Sequence, residues 1–217
     1  MTTGSATVAV VMATTGRPYR GMTPEARDAD RRRRLLDAGL EAFGTTGYAS
    51  TTIEGLCAAA GVTPRNFYDH FKSREDLLAA VYDAVIAEHA GAVVRALEEV
   101  PGDLEGHVRA GVDAAVRRWA GDERAARITL VEVVGVSERM EEHRLGVLAA
   151  YADLLRADAE RLAERGLIPR REERVVAPAL VGALTQVMTD WQHRPDERPP
   201  IETVIDELTR LYVAVLI

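Results

Sequence analysis

The sequence predicts an all-α protein in two parts: a small N-terminal three-helix unit and a larger C-terminal helical body. Three observations lead there. Apolar residues recur at three- and four-residue spacing nearly throughout, the period of one helix face. No alternating apolar–polar run finds a second run to pair with. The helix starts are also written locally, as Ser or Thr followed by Pro or by acidic residues.

The first helix is expected to begin at Thr23, with Pro24 at its first position and Glu25 in its first turn. Leu36, Leu40 and Phe43 share its apolar face, and GTTGY stops it. Thr51 or Thr52 caps a short second helix whose Ile53, Leu56, Cys57 and Ala60 face inward. Gly61 permits a sharp turn. Thr63 caps a third helix, with Pro64 first, running to Phe71. Ser73 caps a fourth, which Glu75 and Asp76 favour in its first turn; it extends to about Glu99, before PGD. Leu104, Val108, Val112 and Trp119 mark the next helix. The β-branched run ITLVEVVGV has no partner strand and reads as a buried helix. Met140, Val147, Tyr151, Leu154 and Leu162 mark another, and Leu180, Leu184, Val187 and Trp191 the one after. Ile201, Val204, Ile205, Leu208, Leu211, Tyr212 and Val215 mark the last. The expected division is a disordered tail over 1–22, the three-helix unit over 23–72 and the body over 73–217, with the helix from 73 as connector.

The 217 residues suffice for a body plus a small appended domain, and no apolar run is long enough to predict a membrane span. A single cysteine, Cys57, excludes an internal disulfide and a cysteine zinc cluster, and fits a reducing, cytoplasmic setting. The net charge of −7 is unevenly spread. Residues 1–80 hold 10 basic and 9 acidic residues, a net of +1; the remaining 17 and 25 give −8. Four consecutive arginines, Arg31 to Arg34, cannot all share one helix face, so some must face water.

Function is concentrated in GVTPRNFYDHFKSRE, Gly61 to Glu75. Two short helices joined by a glycine turn make a helix-turn-helix, whose second helix enters the DNA major groove. Phe67 and Phe71, four apart, fill the small core. Pro64, Arg65, Asn66 and Tyr68 form the candidate base-facing set: Arg65 suits guanine and Asn66 adenine, and Asp69 beside them suits cytosine. Thr51, Thr52, Thr63, His70 and Lys72 are candidate phosphate contacts. Arg17 and Arg20 in the tail are candidates for a minor-groove arm, against a tail with no role.

From Arg31 to Asp83 the chain resembles the DNA-binding domain of TetR-family transcriptional regulators. The matching residues are Ala42-Phe43, Gly47-Tyr48, Thr51-Thr52-Ile53, Ala60 to Thr63, Asn66 to Tyr68, His70 to Ser73, Glu75 and Leu77. Arg65 departs from the small residue many members carry, and Cys57 stands where a small apolar residue is common. The resemblance implies a homodimer on a palindromic operator. It also implies a C-terminal ligand-binding and dimerisation domain, and release of DNA when a small hydrophobic or amphipathic effector binds. Candidate pocket residues are His107, Trp119, Met140, Tyr151, Gln186 and Trp191. In the last two helices, Ala177, Ala179, Gly182 and Ala183 permit close approach, and with Val204, Leu208, Leu211 and Val215 they form the candidate dimer interface. The effector swings the fourth helix and so respaces the recognition helices.

No cofactor, metal or membrane partner is expected. A di-iron bundle needs paired Glu-x-x-His motifs, which the sequence lacks, and it has no phosphate loop or nucleophile elbow. His89, His107 and His143 read as scattered surface residues. The remaining alternatives are a small-molecule carrier without DNA binding, a ligand-independent regulator, and an activator in place of a repressor.

Overall fold

The computed structural model describes residues 23–99, 102–170 and 174–217. In chain order its helices are α1 (Pro24–Thr45), α2 (Ile53–Ala60), α3 (Pro64–His70), α4 (Arg74–Glu99), α5 (Leu104–Gly121), α6 (Glu123–Arg127), α7 (Glu138–Glu164), α8 (Val176–His193) and α9 (Ile201–Leu216). No strand occurs among the described residues. The tail expected over 1–22, with Arg17 and Arg20, lies outside them.

Short polar residues set the helix starts. Thr23 accepts from the Ala26 amide at 3.2 Å, Thr52 from Gly55 at 3.1 Å and Thr63 from Asn66 at 3.3 Å. Ser73, Asp103 and Ser137 cap α4, α5 and α7 in the same way. Each satisfies an amide that has no partner within the helix, worth typically ~1 kcal/mol. Gly61 ends α2 in the left-handed region, at φ 62°, where a side chain would be strained. The run ITLVEVVGV is helical, as expected, but not uniformly α. Ile128–Glu132 forms a π turn directly after α6, closed by the Val133 amide on the Ile128 carbonyl at 3.3 Å.

Two cores hold the chain. The first joins Leu35, Phe43, Leu56, Phe67, Leu77 and Leu78 of the first four helices with Phe71, just past the end of α3. Ile128, Val133 and Met140 close it from the side of the body. Three helices of this size bury too little surface to be very stable alone, and here the body completes the core. The expected division at residue 72 therefore falls inside one packed cluster. The second core stacks Val112, Val116 and Trp119 of α5 against Leu162, Leu180, Met188, Ile205, Leu208 and Tyr212. The Tyr212 hydroxyl donates to the Leu180 carbonyl at 2.6 Å, tying α9 to α8.

Two histidines read as surface residues are instead buried: His89 is 2% exposed and His107 4%. Each is held by partners distant in sequence, which residue spacing does not reveal.

The two parts meet backbone to backbone at Gly44 on α1. A Cβ there would lie 2.4 Å from Arg124 Cβ and 2.7 Å from its Cα on α6, and backbone cannot step aside as a side-chain tip can. Gly44→Ala is expected to destabilise the protein by about 1–3 kcal/mol through overpacking. This outweighs the up to ~1 kcal/mol that alanine gains as a helix former. Urea unfolding midpoints of the two proteins check it.

Candidate DNA interface and ligand cavity

The second and third helices present one exposed edge. Pro64, Arg65, Asp69 and Lys72 are exposed, as are the capping Thr52 and Thr63. Tyr68 is 57% exposed, its ring held edge-on to the buried Phe67 at 5.5 Å. Asn66 is half-buried, and its side-chain oxygen accepts from the Thr63 hydroxyl at 2.8 Å, so part of its amide is spent on the cap.

Two expected phosphate contacts are corrected. Thr51 is buried and its hydroxyl donates to the Gly47 carbonyl at 2.8 Å, inside the α1–α2 turn. The His70 side chain is only 6% exposed, packed beside Phe71 with Nε2 3.5 Å from Asp28. Neither faces outward.

The arginine run is committed within the protein. Arg31 pairs with Asp28, and Arg33 with Asp30 and Asp37. Arg32 lies over the Phe71 ring at 5.4 Å. Arg34 donates to the carbonyls of Ala60 (2.7 Å) and Gly61 (3.2 Å), while Asp30 steadies its Nε at 3.0 Å. It thus pins the helix-turn-helix corner to α1. Arg74 likewise donates to the Thr51 carbonyl and stacks over Tyr48 at 4.2 Å.

A cavity of about 120 Å³ lies in the body, bounded by α4, α5, α7, α8, α9 and the π turn. On the measure in which one water needs roughly 10–15 Å³, it has room for a molecule of several heavy atoms. Its wall is largely aliphatic, with Ile86, Val112, Leu130, Leu155 and Leu184 among the contributors. Of the expected lining residues, His107, Trp119 and Tyr151 reach it. Three do not. Met140 packs into the first core, and Gln186 is exposed. Trp191 lies under Arg198 at 4.2 Å and donates to the Pro199 carbonyl.

His89, Asp158 and Thr129 also line the cavity. They sit singly in the sequence with no motif around them, and no local signal marks them as wall residues.

Two hydrogen-bonded histidine groups stand in the wall. The Tyr151 hydroxyl donates to His89 Nδ1 at 2.9 Å, and His89 Nε2 donates to the Ala115 carbonyl at 3.1 Å. The ring stacks on Trp119 at 4.3 Å. Burial pushes the His89 pKa down from 6.5 to about 4. His107 Nε2 meets Asp158 at 2.9 Å, and Arg161 holds the other oxygen of that carboxylate at 3.0 Å.

The π turn joins cavity to DNA edge. Thr129 and Leu130 are in the cavity wall. Two residues on, Glu132 accepts from the Tyr48 amide at 2.7 Å and from Arg127 Nε at 2.8 Å. Arg127 in turn donates to the Thr45 carbonyl at 2.6 Å. The first half of the α1–α2 loop is held this way.

The expected dimer residues divide. Ala179 and Gly182 are exposed and Ala183 half-buried, in line on α8 with exposed Gln186 and Val187. Leu211 is 45% exposed on α9. Val204 and Leu208 are buried and belong to the chain's own core. This is a correction: α9 turns that stripe inward onto α5. Ala177 is also internal, and Val215 packs against the core.

Residues 35–81 match the sequence model of the tetR family of bacterial regulatory proteins. Over 190 residues the chain is 26% identical to the HTH-type transcriptional regulator EthR of Mycolicibacterium smegmatis, covering 85% of each. The fold is similar to that of FadR from Bacillus subtilis, solved in complex with stearoyl-CoA (TM-score 0.74, 18% identity, 84% of this chain and 97% of that one). It is also similar to AibR, solved with isovaleryl-CoA and operator DNA (TM-score 0.63, 18% identity, 83% and 97%). Residues 35–81 thus carry the DNA-binding segment of the tetR family, and over most of its length the chain is similar to an HTH-type transcriptional regulator.

Arg65→Ala is expected to lose about 1–3 kcal/mol of operator binding and to relax one base position. Lys72→Ala should weaken binding to all sequences alike and flatten the salt dependence. Binding titrations against matched and mismatched sites separate the two. His89 gives a stability prediction. Its folded pKa lies below its unfolded one, so the unfolded chain binds the extra proton and stability falls on acidification from about 6.5 to about 4. The full effect is roughly 3 kcal/mol. His89→Phe should be flatter over that window in denaturant titrations at stepped pH.

Proposed function

We propose that this regulator is a homodimeric repressor that binds a palindromic operator and releases it when a small apolar or amphipathic molecule fills the cavity. The observation that carries the reading is one wall segment with two roles: Thr129 and Leu130 line the cavity while Glu132 grips the Tyr48 amide. A ligand that favours one arrangement of this turn necessarily biases the other site.

The base-facing set in this reading is Pro64, Arg65, Asn66 and Tyr68, with Thr52, Thr63 and Lys72 on phosphates. Asn66 contributes through the part of its amide that the cap leaves over. The unit over 23–72 reads the DNA; the body from 73, beginning with α4, binds the ligand and dimerises. The exposed faces of α8 and α9 supply the dimer contact, through Ala179, Gly182, Ala183, Val187 and Leu211. Exposed Val187 and Leu211 are the large apolar residues such a contact covers. Two-fold pairing turns one recognition helix into two, spaced for half-sites about one helical turn apart.

The acyl-CoA ligands of the FadR and AibR structures support an acyl-type effector here, and the aliphatic wall suits one. A regulator of this kind works in the cytoplasm and needs no catalytic step. α4 is apolar enough by length and composition to cross a membrane, but its Leu77, Leu78, Val81 and Tyr82 are spent in the protein core.

Selection from a random DNA pool at near-physiological salt tests the reading. Enrichment of a palindrome is expected. A folded, dimeric protein that enriches nothing would leave the carrier alternative in its place. Leu211→Glu should shift the protein toward monomer in sedimentation velocity and lower operator affinity with it, since a half-site alone binds weakly.

A further inference from the structure

The cavity wall holds two buried polar atoms that their own surroundings leave unpartnered, and only one of them, on His107, is free to accept. His107 is buried, lines the cavity, and uses only Nε2, on Asp158. Its Nδ1 is buried with no hydrogen-bond partner. The neighbour decides which nitrogen carries hydrogen. An ionised carboxylate can only accept, so Nε2 holds the proton and Nδ1 presents a lone pair. Arg161 donates to the other carboxylate oxygen at 3.0 Å, so both oxygens of Asp158 act as acceptors. A buried acceptor left without a donor is disfavoured, and a ligand that brings a donor relieves it.

We infer that the effector carries an O–H group, seated on His107 Nδ1, at one end of an apolar chain that runs along α5. This deepens the ligand-responsive reading and rests on it. His107, Val108, Gly111, Val112, Ala115 and Trp119 all line the cavity and share one stripe of that helix. From His107 to Trp119 the lined stripe of α-helix spans roughly 18 Å, long enough for an extended chain. The O–H belongs to an alcohol or to a carboxylic acid. In the acid, the same proton lies between the carboxyl oxygen and Nδ1, with Asp158 holding the ring from behind. A thioester or ester carbonyl has no such proton. The other unpartnered polar atom among the lining residues is Trp119 Nε1, a donor at the far end of the stripe, which would favour a carbonyl instead. Asp158 is a positioning residue in this arrangement: it sets the tautomer and does not touch the ligand.

Three probes of equal chain length decide it: decanol, decanoic acid and methyl decanoate, titrated into the full-length protein by tryptophan fluorescence. Decanol or decanoic acid should bind roughly three- to tenfold tighter than the ester, the worth of one hydrogen bond. Which of the two is tighter assigns the source of the O–H. Removing both members of the buried pair together, His107→Leu with Asp158→Leu, leaves no buried charge unpaired, since Arg161 is exposed to water, so the fold is retained. In that variant the preference should vanish while ester affinity stays within about twofold. Equal binding of all three probes to the wild-type protein, as a seat on Trp119 would give the ester, overturns the inference and leaves the cavity reading intact. A preference that survives the double substitution also overturns it. Binding of none of the three removes both.

Discussion

Everything else in the molecule is arranged around one carboxylate. Glu132 ends the π turn with its side chain largely buried, and its two oxygens divide between Arg127 and the Tyr48 amide. A charged acceptor for a backbone amide is worth more than a neutral one, and little water competes for it there. The turn needs its irregular winding to do this. An extra residue inside a helix rotates the residues after it, and π turns of this sort occur often at functional positions. Here the rotation keeps Thr129 and Leu130 on the cavity while Glu132 reaches the α1–α2 loop.

The small DNA-reading unit accordingly does not stand alone. Ile128 and Val133, at either end of the same turn, are fully buried in its core beside Phe43 and Leu56. Gly44 lets α1 sit directly on α6. The unit's position is therefore a property of the body's packing, and α4 is one of two connections between them. Arg139 of α7, bonded to Glu75 and Asp76, reinforces the α4 connection at its start. A swing of α4 alone, the sequence-based expectation, would have to drag against the Glu132 grip.

What was legible in the sequence was what is local. Thr23, Thr52, Thr63 and Ser73 announce their helices because a cap is a contact over three residues. The helix-turn-helix could be read for the same reason: its glycine turn and its pair of phenylalanines lie within one short stretch. The rest depends on partners far along the chain. His107 looks like a surface histidine until Asp158, 51 residues away, is brought beside it. His89 needs Tyr151 and the Ala115 carbonyl. The four arginines were expected to be in part simply solvated, yet their nearest acids and Phe71 engage them. On α9 the apolar stripe was visible, but which chain it would face was not. A helix face turned to its own core and one turned to a second copy have the same composition, and Val204 and Leu208 went to the core.

The central claim is that the cavity wall and the DNA edge are joined through Glu132. The most direct test is the operator affinity of Glu132→Gln, measured on a selected operator with the fold verified by circular dichroism. The substituted amide keeps the shape of the side chain but loses the charge that holds Arg127 and the Tyr48 amide. The account predicts that operator affinity changes by about tenfold or more, within the usual range of coupling between sites, although the residue touches no DNA. A folded Glu132→Gln protein that binds operator as the wild type does would contradict it.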